Sequence, residues 1–173
     1  MKSESQSPMR LLQRWMIGHS MLILMIGLLA GVGLLVSLIG GLEIWPGKLA
    51  SIEVPGHTDA WVRLHIGQLL NAFLIVLVAL ILPLLEFKPE AARRIGWLAV
   101  GIGWANTLFY AAALFAPNRA LTFGNNRWGD ANLASVIGLL PALVFTLISF
   151  VVVVMLARQA FRLPEQPATP ASR

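Results

Sequence analysis

In the stretch AWVRLHIGQLLNAF, residues 60–73, an otherwise apolar run carries three hydrogen-bonding side chains, His65, Gln68 and Asn71. A second apolar run contains GWANTLFY, residues 103–110, with Trp104, Asn106, Thr107 and Tyr110. An imidazole can ligate a metal, and amides and a phenol can donate hydrogen bonds to an oxygen atom. Polar groups in the hydrocarbon of a membrane cost free energy, so each is a functional candidate. Gln68 and Thr107 read more simply as interhelical staples.

The elements that must position these groups follow from composition. The chain has 173 residues, 57% hydrophobic and 12% charged, with a mean hydropathy of +0.75. A soluble domain carries about a quarter charged residues. The absence of cysteine excludes disulfides, zinc–thiolate and cysteine-ligated iron–sulfur sites, and thiol nucleophiles. The net charge of +5 sits in short clusters beside apolar runs, the pattern of a membrane protein's connections rather than of a nucleic-acid binder.

Four runs, 16–39, 65–85, 95–116 and 133–156, are long enough to cross a hydrocarbon core. The expected class is an all-α integral membrane protein with four transmembrane helices. The first run is too long for a signal-peptide core and reads as a retained helix. Residues 1–15 read as an amino-terminal tail, 16–157 as the membrane domain and 158–173 as a Pro-rich, disordered tail. Nine Lys or Arg residues fall on one side (2, 10, 14, 88, 93, 94, 158, 162, 173) and four on the other (48, 63, 119, 127). The positive-inside rule therefore puts both termini in the cytoplasm.

The outer connections, roughly 25 and 16 residues long, are rich in Gly, Pro, Asn and aromatics, and read either as covers for a site or as solvated connectors. Gly27 and Gly31, then Gly33, Ser37 and Gly41, recur at four-residue spacing. That spacing allows close helix approach, with a flat ligand in the groove as the alternative.

Depth can be compared across the helices. Asn71 lies about 9 Å below His65 along helix 2, and Tyr110 about 9 Å below the outer end of helix 3. The two are thus expected at one level, facing a common cavity. His65 and Asn71 differ by roughly 120° around their helix, so they need not touch the same ligand atom. His57 falls in a loop. His19 lies near the cytoplasmic end of helix 1, about 30 Å of helix from the level of His65, so the two cannot share one metal. A bis-histidine haem is thereby disfavoured, whereas iron held by His65 alone would keep a position open for chemistry.

The segments PGHTDAWVRLHIGQLLNA, GWANTLFY and APNRALTFG, with GHSMLI and GGLEIWPG, resemble the styrene oxide isomerase family over about residues 17–145. The resemblance implies a four-helix membrane enzyme that binds ferric haem b and assembles as a homotrimer in the bacterial inner membrane. It implies Meinwald rearrangement of a small hydrophobic epoxide to an aldehyde, with iron as Lewis acid. The family's axial histidine falls on His65, and its active-site asparagine and tyrosine fall on Asn71 and Tyr110. The styrene-active members have an aspartate where this chain has Ile102, which puts the substrate in question.

On that reading Trp104 and Phe109 line an aryl pocket or simply pack, and Asn106 supports Tyr110 or fixes helix 3. Glu43 and Glu86 anchor helix ends. Arg119 and Arg127 pair with haem propionates or cap the loop. Competing readings are an isomerase of another epoxide, a haem-binding electron-transfer or sensor subunit, and a haem-free scaffold or transporter.

Overall fold

The computed structural model describes residues 8–162. Four long helices dominate it: α1 (Pro8–Ile39), α2 (Thr58–Ile81), α3 (Pro89–Ala113) and α4 (Leu133–Ala160). All four are long and apolar enough to cross a membrane. Each exceeds its apolar run, because helical geometry continues into polar flanks while the backbone has bonds to make. Residues 8–15, expected in a tail, form the first two turns of α1, and residues 158–160, expected in the other, end α4, with Phe161 and Arg162 following it. The rest of the two expected tails, residues 1–7 and 163–173, lies outside the described residues.

The helix ends follow local chemistry. A turn of 3-10 helix (Leu82–Leu85) ends α2 at Glu86, whose φ of 49° reverses the chain. α3 then starts on Pro89, whose missing N–H costs nothing at a first position, with Glu90 favourably placed against the helix dipole. α4 opens on a capping box in which the Asn132 side chain accepts from the Ser135 N–H and the Ser135 side chain accepts from the Asn132 N–H.

The expectation of a purely helical chain needs one amendment. After α1 the chain forms an antiparallel hairpin, β1 (Gly41–Trp45) and β2 (Lys48–Ser51). Gly40 and Gly47 take positive φ, which a glycine adopts without steric cost. Glu43, expected to anchor a helix end, instead accepts the N–H of Gly47 through Oε1 and closes the hairpin turn.

α1 packs along α2, α2 along α3, and α3 along α4. The main core joins Met16 and Ile23 of α1, Ile75 and Val78 of α2, and Ile95 and Ile102 of α3. Glycines on α1 permit this closeness. A Cβ on Gly27 would stand 3.0 Å from that of Gln68, and one on Gly31 would stand 2.9 Å from Cε1 of His65. The four-residue glycine spacing is thus used for helix packing, with α2 side chains filling the groove.

Candidate active site

His65 sits on the side of α2 turned toward α1, half-buried, with Nδ1 2.7 Å from the carbonyl oxygen of Gly27. A carbonyl only accepts, so Nδ1 must carry the proton. In the neutral ring the lone pair then lies on Nε2, the arrangement that prepares a histidine to ligate a metal. His19 is the opposite case. The indole Nε1–H of Trp104 donates to its Nδ1 at 3.1 Å, and Trp15 packs edge-on at 4.6 Å between ring centroids. Its lone pair is engaged, and its neutral ring keeps the proton on Nε2.

The two histidines also stand at different depths. His65 meets α1 at Gly27 and Gly31, eight and twelve residues beyond His19. At 1.5 Å per residue that is about 12–18 Å, shorter than the 30 Å read from the spans but still too far for a shared metal. The shortfall arises because His65 lies in the second turn of α2, which begins seven residues earlier at Thr58.

The α2–α3 contact carries the remaining polar groups. Asn106 Nδ2 donates to Asn71 Oδ1 at 3.0 Å, and Thr107 Oγ1 lies 3.1 Å from Gln68 Oε1. The Thr107 hydroxyl is also 2.8 Å from the carbonyl of Gly103, and its single proton serves one acceptor at a time. Gln68 and Thr107 are therefore staples, as their types suggested. Asn71 is 8% exposed and Gln68 is fully buried, yet Asn71 Nδ2 and Gln68 Nε2 meet no acceptor among the described residues. Two amide donors inside the helix bundle are thus available to an oxygen atom.

Tyr110 packs its ring on Gly67, where any Cβ would collide with that ring. Because Asn71 is level with Asn106 and Gly67 with Tyr110, Tyr110 stands one turn, about 6 Å, nearer the start of α2 than Asn71. The expectation of one common level is corrected accordingly. Helix 3 ends at Ala113 rather than near residue 116, which shifts the depth count by about one turn.

His65 and Tyr110 stand on opposite flanks of α2. One meets α1 through Gly27 and Gly31, and the other meets Gly67 from α3. Asn71, Asn106, Ile102 and Tyr110 share the α2–α3 side, with Ile102 buried one turn nearer the start of α3 than Asn106, among the apolar core. Trp104 turns to His19, and Phe109 packs on Ala113, Ala116 and Ala120 with Tyr110 5.3 Å away.

Arg119 forms an ion pair with Asp59 at 2.7 Å and lies 3.5 Å over the ring centroid of Trp128, which Arg127 also approaches at 4.7 Å. The Arg119–Asp59 pair binds the loop between α3 and α4 to the start of α2. Arg63, two residues before His65, has Nε and Nη2 buried with no hydrogen-bond partner among the described residues. It was not singled out from sequence, because a lone arginine near a helix start reads as an interfacial anchor.

With this arrangement in view, relatives are informative. Residues 12–161 match the family model described as styrene oxide isomerase. A styrene-oxide isomerase from Pseudomonas fluorescens is 38% identical over 150 residues, covering 87% of this chain and 89% of that protein. The chain belongs to the styrene oxide isomerase family. It is accordingly an isomerase, and the matched region spans all four helices together with His65, Asn71 and Tyr110.

The donor set can be tested against a haem group. No cluster of three or more His, Asp or Glu side chains able to hold a bare ion occurs among the described residues. A porphyrin brings four ligands of its own and asks the protein for one imidazole. His65 meets that requirement by its hydrogen bond to Gly27. The residues fit the group.

Proposed function

We propose that this family member is a multi-pass membrane epoxide isomerase that uses ferric haem b to convert an aryl epoxide of the styrene oxide type to an aldehyde. The observation that carries the reading is the Gly27 carbonyl holding His65 with Nε2 unbonded among the described residues, in a chain whose other intramembrane histidine is engaged by Trp104. His65 would hold the group through Nε2. The ferric haem, when bound, supplies Lewis acidity that polarises the epoxide oxygen.

The chain's own residues handle the charge that develops. As the C–O bond at the aryl-bearing carbon breaks, negative charge gathers on oxygen and positive charge on that carbon. The unpaired Nδ2–H of Asn71 is a donor for the oxygen, with its carbonyl end fixed by Asn106. The phenol of Tyr110 is a second donor from the same side of α2 as Asn71. A hydride then moves from the oxygen-bearing carbon to the neighbouring cation, and the C–O bond becomes C=O. No electron is gained or lost overall. Apolar walls, including Ile102, keep water from capturing the cation as a diol.

The placement of His65 and Tyr110 on opposite flanks of α2 supports a homotrimer in which a planar group is bordered by more than one chain. The distribution of Lys and Arg supports cytoplasmic termini and an inner-membrane location of the bacterial type. Ile102, where the family's styrene-active members carry aspartate, leaves a different epoxide as the second reading. Purified protein should show a Soret band that shifts on adding styrene oxide, with phenylacetaldehyde as product. Absence of the band after haem supplementation would defeat the proposal. A band with turnover of other epoxides but not styrene oxide would favour the second reading.

A further inference from the structure

A cleft of about 650 Å³ opens between the first turns of α1 and α3, on the side carrying Lys88, Arg93 and Arg94. It is remote from His65, which meets α1 some fifteen residues beyond Trp15, roughly 20 Å of helix. Its walls are apolar, built on Leu12, Trp15, Phe87 and Trp97. The rings of Trp15 and Trp97 pack at 4.2 Å, and Trp97 remains 55% exposed. Indole pairs of this kind belong at the headgroup level of a bilayer.

The mouth of the cleft has a particular charge pattern. Glu90 and Arg93, three residues apart on α3, both line it, both are exposed, and neither forms an ion pair or hydrogen bond with any described residue. An anionic headgroup would satisfy Arg93 and be repelled by Glu90. A zwitterionic headgroup with a protonated amine answers both, its phosphate on the guanidinium and its ammonium on the carboxylate. A trimethylated amine keeps its charge near the carboxylate but has no N–H to donate, and so loses the hydrogen bond.

We infer that this cleft is a binding site for a phospholipid with a primary-amine zwitterionic headgroup, phosphatidylethanolamine in type. Its acyl chain lies along Leu12, Trp15 and Trp97. The inference rests on the reading of the four helices as membrane spans but not on the isomerase chemistry. A chain without activity could still show it, and the two fail separately.

Full-length protein would be reconstituted with equal amounts of phosphatidylethanolamine, phosphatidylcholine and phosphatidylglycerol of matched acyl chains. Lipids retained after mild delipidation would be read by native mass spectrometry. The ethanolamine lipid should be retained over the choline lipid by about fivefold, the upper range for one exposed charge pair. Glu90→Gln should abolish that preference, Arg93→Gln should lower retention of both, and Trp97→Ala should lower retention of all three. Arg158→Gln, a basic residue outside the cleft, should change nothing. Circular dichroism confirms that each variant folds. Preferential retention of phosphatidylglycerol, an ethanolamine preference that survives Glu90→Gln, or cross-linking of Trp97→Cys chains to each other at high lipid would overturn the assignment.

Discussion

The indole Nε1–H of Trp104 donates to Nδ1 of His19 across 3.1 Å, and this bond separates His19 chemically from His65. His19 gives up its lone pair to an indole. His65 donates its Nδ1–H to a carbonyl and keeps a lone pair on Nε2. Two residues of one type thus present opposite tautomers because their partners differ in kind.

The first prediction follows from that contrast. His65→Ala should abolish haem retention, while His19→Ala should keep the Soret band and lose only packing. Gly31→Ala should act on His65 from a distance, since its methyl would stand 2.9 Å from Cε1 and push the ring. Loss of such positioning lowers affinity about 10–100-fold. Haem titration of the purified variants measures all three.

The Asn106–Asn71 bond yields a second. Asn71→Ala should lower kcat by about 10²–10³, the cost of one preorganised donor. Asn106→Leu should act more weakly on kcat, because it leaves the Asn71 donor in place but frees its carbonyl end. Leaving that buried acceptor unpaired should also cost about 1–3 kcal/mol of stability. A double-mutant cycle in kcat should show the two effects to be non-additive.

Ile102 supports a third. It is 6% exposed among Ile23, Ile75 and Val100, so Ile102→Asp places a carboxyl in an apolar surround. Thermal unfolding in detergent should report a loss of about 1–3 kcal/mol. Relative rates across a panel of aryl and alkyl epoxides should change, since the side chain stands one turn from Asn106. An unchanged panel would make this position irrelevant to substrate choice.

Asn118 gives a fourth. It is fully buried, its Nδ2 donates to the carbonyls of Thr122 and Gly124, and its Oδ1 accepts from Ala120 N–H and Ser135 Oγ. This one side chain holds the loop between α3 and α4, in which Arg119 and Ala120 take positive φ, onto the start of α4. Asn118→Ala should cost about 2–3 kcal/mol and leave the Soret band in place. Calorimetry and absorption together check it.

Sequence by itself determined the four apolar helices, because twenty successive side chains without charge permit few other fates for a backbone that must bond internally. It also marked His65, Asn71 and Tyr110, and the stapling roles of Gln68 and Thr107, since polar types stand out against such a background. The hairpin after α1 was not legible, as its strands are short and set among turn residues. Nor was the hub at Asn118, one amide among several in a loop.

Tertiary structure decided the partners. Which nitrogen of each histidine is free depends on Gly27 and Trp104, residues 38 and 85 positions away. The one-turn offset between Asn71 and Tyr110 depends on how α3 slides along α2, which periodicity within either helix does not constrain. Spacing along a chain sets the face on which a side chain stands, whereas helix register across a contact sets what that side chain meets.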